Sequence, residues 1–85
     1  MKYKKVKIIW IDPTGQTGWQ SQEDLENFNP EECVIEGYLF SKDKKLVKTF
    51  SSYSINNDTG EMTFGDTNVL PTSCIKSIKA IKWKI

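Results

Sequence analysis

The chain has 85 residues, 38% of them hydrophobic and ten of them aromatic, which suits one small domain; a chain this short buries only about three fifths of the surface it exposes when unfolded. Twelve lysines against eleven acids give a net charge of +1, so net charge alone provides no strong pull toward nucleic acid or anionic lipid. Histidine and arginine are both absent. This removes the commonest general base, the usual imidazole metal ligand and the forked donor favoured for phosphate and guanine.

From Lys5 to Ile11 the residues alternate, Val6, Ile8 and Trp10 against Lys5, Lys7 and Ile9, which predicts a first strand with Trp10 in the core. Asp12-Pro13-Thr14-Gly15 is a turn, and a loop runs to about Gln20. Ser21 before Gln22-Glu23-Asp24 is a hydroxyl cap followed by first-turn acids, predicting a short helix that carries Leu25 and Phe28 inward and ends at Asn29-Pro30. Cys33 to Ser41 alternates large apolar groups on both faces, predicting a strand partly covered on each side. The polar run Ser41 to Lys45 joins it in a hairpin to a third strand, Leu46 to Tyr53.

Asn56-Asn57-Asp58-Thr59-Gly60 is the strongest turn signal in the chain, because Asn, Asp and Gly enter the left-handed region cheaply. Glu61 to Phe64 opens a fourth strand, which Gly65 to Asn68 interrupts or bends before Val69 and Leu70. Pro71 cannot continue a ladder, and a tight helical turn fits Pro71 to Cys74. Ile75, Ile78 and Ile81 allow a helix, whereas Ile81, Trp83 and Ile85 alternate with Lys82 and Lys84; the reading adopted is a bulged last strand. Five short strands with one small helix after the first predict a mainly β fold, a small closed barrel of the SH3-like or Sm-like kind. An open α+β sheet covered by the helix is the alternative.

Three stretches carry a resemblance: Ile9-Trp10-Ile11-Asp12 with Gly18-Trp19; Ile35-Glu36-Gly37-Tyr38-Leu39; and Leu70-Pro71-Thr72-Ser73-Cys74-Ile75-Lys76-Ser77-Ile78. Together they resemble a widespread set of short phage and prophage proteins. That set looks like a Trp-x-Asp strand, a Gly-Trp pair, a Gly-aromatic-Leu hairpin and a closing Ile/Leu-Pro-x-x-Cys-Ile segment. The resemblance implies a phage origin and a place in the cytoplasm of a bacterial host. It also makes counter-defence an expectation. The lysine-rich ends and the long loop at 54–61 depart from the pattern.

No catalytic constellation stands out. The acids Glu23, Asp24, Glu26 and Glu31, Glu32 cluster at the helix start and just after its end, and those of the first turn favour its dipole. Gly15 to Gly18 lacks the lysine and length of a phosphate loop, and serines have no histidine to activate them. Cys33 and Cys74 read as buried small apolar residues, too few for a structural zinc. The expectation is a non-enzymatic protein without metal or cofactor. No apolar run is long enough for a signal-peptide core or a spanning helix, so no membrane role is expected.

Charge is segregated, with Lys2, Lys4, Lys5 and Lys7 at one end, Lys76, Lys79, Lys82 and Lys84 at the other, and seven acids and no lysine over residues 12–36. Neighbouring first and last strands would pool the lysines into one basic face. The aromatics Trp10, Trp19, Tyr38, Phe40 and Tyr53 exceed what one small core hides. The candidate binding residues are therefore Trp19, Tyr38, Lys79, Lys82, Trp83 and Lys84. The expected partner is a host protein or an anionic nucleotide, the latter bound between subunits of a homo-oligomer. Nucleic acid binding and a virion or assembly role are the alternatives.

Overall fold

The computed structural model describes residues 2–82. The described residues are mainly β, with seven strands: β1 (Lys5–Asp12), β2 (Glu31–Lys42), β3 (Leu46–Phe50), β4 (Ser52–Ile55), β5 (Met62–Gly65), β6 (Asn68–Pro71) and β7 (Ile75–Ala80). One short helix, α1 (Gln22–Glu26), follows β1, and a single 3-10 turn covers Thr72–Cys74. Five strands form one antiparallel sheet in the order β6-β3-β2-β1-β7, and β4 pairs with β5 as a separate ribbon.

β1 lies inside the sheet, between β2 and β7, because its alternation offers one apolar face and both neighbours match that register. Ile8 lies opposite Ile35 on β2 and Ile78 on β7. The register against β7 shifts between Ile9 and Trp10, so the expected irregularity of the last strand lies there. Val6, Ile8, Val47 and Leu70 are buried on this face, and Trp10, Ile35, Leu39, Ile75 and Ile78 pack against them. Among the described residues two buried side-chain polar atoms have no partner: the Trp10 indole nitrogen and the Thr49 hydroxyl.

The turns follow their local chemistry. Asp43 Oδ1 accepts hydrogen bonds from the amides of Lys45 (2.7 Å) and Leu46 (2.8 Å), closing the β2–β3 hairpin. Asn56 Oδ1 accepts from the amides of Asp58 and Thr59, and Gly60 takes φ +74°, a conformation cheap for a residue without a Cβ. The 3-10 turn begins after Pro71 and is tied down by the Thr72 hydroxyl, which donates to the Asp43 carbonyl oxygen at 2.9 Å.

Four expectations are corrected. The sheet does not close into a barrel, because no ladder joins β6 to β7 among the described residues. β6 is only four residues long and ends at Pro71, which has no amide to offer a further strand. The predicted third strand breaks in two at Ser51, so its far half leaves the sheet and pairs with β5 as the β4–β5 ribbon, while the fourth strand is interrupted at Asp66–Thr67 as expected. α1 forms where its cap predicts, with the Asp24 amide donating to the Ser21 hydroxyl oxygen, but it buries nothing. Leu25 and Phe28 are 61% and 36% exposed instead of facing inward. The cysteines are half-buried free thiols rather than core residues, on segments that flank β1 from either side.

The radius of gyration is 17.3 Å, against about 12 Å for a compact chain of this length. Two segments leave the sheet: the ribbon and the arm formed by residues 13–30.

Candidate functional site

Strand β2 is apolar on both faces, and its second face builds the site. Tyr38 and Phe40 project from the face opposite Ile35 and Leu39, as period two dictates. Tyr38 lies across from Phe50 on β3, and their rings stack at 5.3 Å. Tyr3, just before β1, stacks on Phe40 at 5.7 Å and meets Phe50 edge-on at 5.3 Å.

The ribbon supplies the remaining rings. Its register sets Tyr53 opposite Phe64, and that register is fixed by the 56–60 turn. Phe64 packs at 4.7 Å from Phe50 and 5.2 Å from Phe40, and Tyr53 meets Tyr38 at 6.2 Å. Phe50, only 1% exposed, is thus the hub of a six-ring cluster separate from the aliphatic core. Ring pairs in these offset and edge-on geometries add about 0.5–1.5 kcal/mol each beyond area burial.

At the edge of the cluster the hinge between β5 and β6 leaves a cavity of about 250 Å³. Phe40, Phe50 and Phe64 wall it, Val69 and Thr67 close its far side, and Lys48 and Asn68 supply its polar groups. The hinge itself is held by Asp66 at φ +50°, whose carboxylate accepts a hydrogen bond from the Ser52 hydroxyl. Lys48 is exposed and belongs to a lysine-rich stretch with Lys42, Lys44 and Lys45. An ammonium beside an apolar, ring-lined hollow suits a flat ring system that carries a negative charge.

Of the candidate residues that the structure describes, Tyr38, Lys79 and Lys82 lie toward one end of the sheet, where Tyr38 is opposite Lys5, and Trp19 lies at the other. Trp19 sits fully exposed in the arm beyond the Asp12 end of β1. Lys79 lies on β7 opposite Lys7, and exposed Lys82 follows Ile81, whose amide donates to the Lys5 carbonyl oxygen at the other end of β1. The two ends of this eight-residue strand are about 23 Å apart. Tyr38 is half-buried and committed to the ring cluster. Trp83 and Lys84 lie outside the described residues.

The first and last strands do neighbour one another, with Lys7 and Lys79 directly opposed. The face is nevertheless of mixed sign: Glu36 flanks Lys7 on β2, and Lys76 pairs with Glu32 at 3.0 Å. Near the Asp12 end, Asp12 and Glu31 are directly opposed. Desolvation, aided by Asp12 and Glu31, raises the pKa of the neighbouring Cys33 thiol.

Sequence reasoning missed Lys48, Phe50 and Phe64 as site residues. The signals were the alternation that sets Phe40 on the face of Tyr38, and the turn register that sets Phe64 opposite Tyr53. Among the described residues no group of three or more Cys, Asp or Glu is placed to hold a metal ion, and no helix is long and apolar enough to cross a membrane.

Compared with known proteins, the chain matches no family model, no curated protein and no solved structure.

Proposed function

We propose that this chain is a non-enzymatic phage or prophage protein that sequesters an anionic nucleotide, a counter-defence role. The observation that carries the reading is the cavity walled by Phe40, Phe50 and Phe64 with Lys48 beside it. A nucleobase entering there stacks on ring faces, and its phosphate meets the Lys48 ammonium, with Lys42, Lys44 and Lys45 adding longer-range attraction. At about 250 Å³ the cavity takes one ring system, not an extended ligand. The phage origin is supported by the resemblance of the Trp-x-Asp, Gly-Trp and Leu-Pro-x-x-Cys-Ile stretches.

Sequestration requires binding without turnover. Purified protein is titrated with cyclic mono- and dinucleotides while its thermal unfolding is followed. A ligand at about 100 times its dissociation constant adds roughly 2.7 kcal/mol of stability and raises the midpoint by several degrees. Lys48→Ala and Phe64→Ala abolish the shift, and the recovered nucleotide is chemically unchanged. No shift with any member of the panel contradicts the reading, as does a hydrolysed product.

A further inference from the structure

The arm formed by residues 13–30 leaves the sheet at Asp12 and returns at Glu31, and every residue in it except Gln20 is exposed. α1 makes no more than marginal contact with any strand. Yet the arm carries Trp19, Leu25 and Phe28, together with Glu23, Asp24 and Glu26, and no lysine. Large apolar side chains on a segment without packing of its own mark an interaction surface.

A surface of matching character lies on the same chain. On the face of the sheet opposite the aliphatic core, β1 presents Ile9 and Ile11, and β2 presents Val34, which is 56% exposed. Beside them stand Lys7 and Lys79, directly opposed like charges, with Glu36 across from Lys7 on β2 but no ion pair to either lysine among the described residues.

We propose that the arm of one copy docks on this face of a second copy. Trp19, Leu25 and Phe28 cover the Ile9, Ile11 and Val34 patch, and the arm's acids meet Lys7 and Lys79. The choice of a second copy rests on charge complementarity: one chain carries both an acidic apolar arm without lysine and an apolar patch beside which Lys7 and Lys79 outnumber the acid opposite Lys7, Glu36. Each copy gives an arm and receives one, so a two-fold exchange closes the assembly as a dimer. The ring-lined cavity at Phe40 and Phe64 lies apart from this contact, so the inference stands independently of the nucleotide reading.

Light scattering across a concentration series tests it. The wild type has twice the 9.8 kDa chain mass, and Trp19→Ala raises the dissociation constant about 30-fold or more, the loss typical of an interface anchor. Trp19 touches nothing in its own sheet, so the far-ultraviolet circular dichroism of that variant is unchanged. A Lys7→Glu/Lys79→Glu variant and a Glu23→Lys/Asp24→Lys/Glu26→Lys variant are each monomeric alone. Mixed, they form a heterodimer, because each arm then meets a face of opposite sign.

A wild type of single-chain mass at every concentration overturns the proposal, whether its arm stays free, folds back or serves another protein. A dimer indifferent to these substitutions overturns it equally. Phe64→Ala, which empties the nucleotide cavity of a wall, leaves the dimer intact and so separates the two accounts.

Discussion

A Cβ placed on Gly37 would fall 2.9 Å from the carbonyl oxygen of Phe50 and 3.1 Å from the Ser51 hydroxyl oxygen. The backbone at the end of β3 therefore rests directly on β2, and the Ser51 hydroxyl donates to the Glu36 carbonyl oxygen at 3.4 Å. This close approach lets the chain turn out of the sheet at Ser51 while Phe50 stays against Tyr38. Gly37→Ala pushes backbone against backbone, which no side-chain rotation relieves. It should lower stability by roughly 1–3 kcal/mol in urea denaturation, the usual cost of overpacking.

Phe50 touches four other rings and is buried, whereas Phe40 is 43% exposed. Phe50→Ala should cost roughly 3–5 kcal/mol, a large share of what a domain of this size has. Phe50→Leu keeps enough volume to fold and should cost clearly less. Phe40→Ala should leave most of the stability but weaken nucleotide binding. Equilibrium unfolding and ligand titration on the same three variants check both halves.

Thr49 is buried on β3, 3% exposed, and lines the ring-walled cavity, with a hydroxyl that finds no partner. Thr49→Val removes that buried polar atom at nearly the same shape and should stabilise the protein by about 1 kcal/mol. A shift of the urea midpoint to higher concentration with an unchanged slope is the expected reading.

The strand pattern was legible because it is local. Val6, Ile8 and Trp10 alternate, Gly60 needs a left-handed turn, and Pro71 stops a ladder; each is decided by a few neighbouring residues. The chain ends of the sheet were legible too, in that β1 and β7 pair. Barrel closure was not, since it depends on whether β6 reaches β7, a contact that the lengths of β6 and the following turn decide and that no periodicity encodes. The inward placement of Leu25 and Phe28 failed for a related reason: helical spacing makes a face, but it does not decide whether the loop before the helix returns that face to the chain's own sheet, and α1 buries no residue there. The cavity was hidden because Phe40, Lys48 and Phe64 come from three separate strands, and only the bend at Asp66 brings the last of them over the sheet.

Asp43 gives a pH test of the β2–β3 hairpin. Its pKa is lowered by hydrogen bonds from the Leu46 and Lys45 amides, with help from Lys48. A carboxyl whose folded pKa is depressed binds more protons unfolded, so its contribution is full above the ordinary carboxylate value and is lost as pH falls below about 4. Asp43→Asn keeps one acceptor oxygen and should flatten that part of the acid limb, seen as a smaller loss of unfolding midpoint between neutral and acid pH than in the wild type.

The most direct test of the account is a titration of isotope-labelled protein with the nucleotide that gives the largest thermal shift, followed residue by residue by NMR. Perturbed amides should cluster at 48–50 and 64–69 and leave 7 and 79 at their free positions. Shifts centred on Lys7 and Lys79, or none at all at saturating ligand, would contradict a ring-and-ammonium site at Phe40, Phe64 and Lys48.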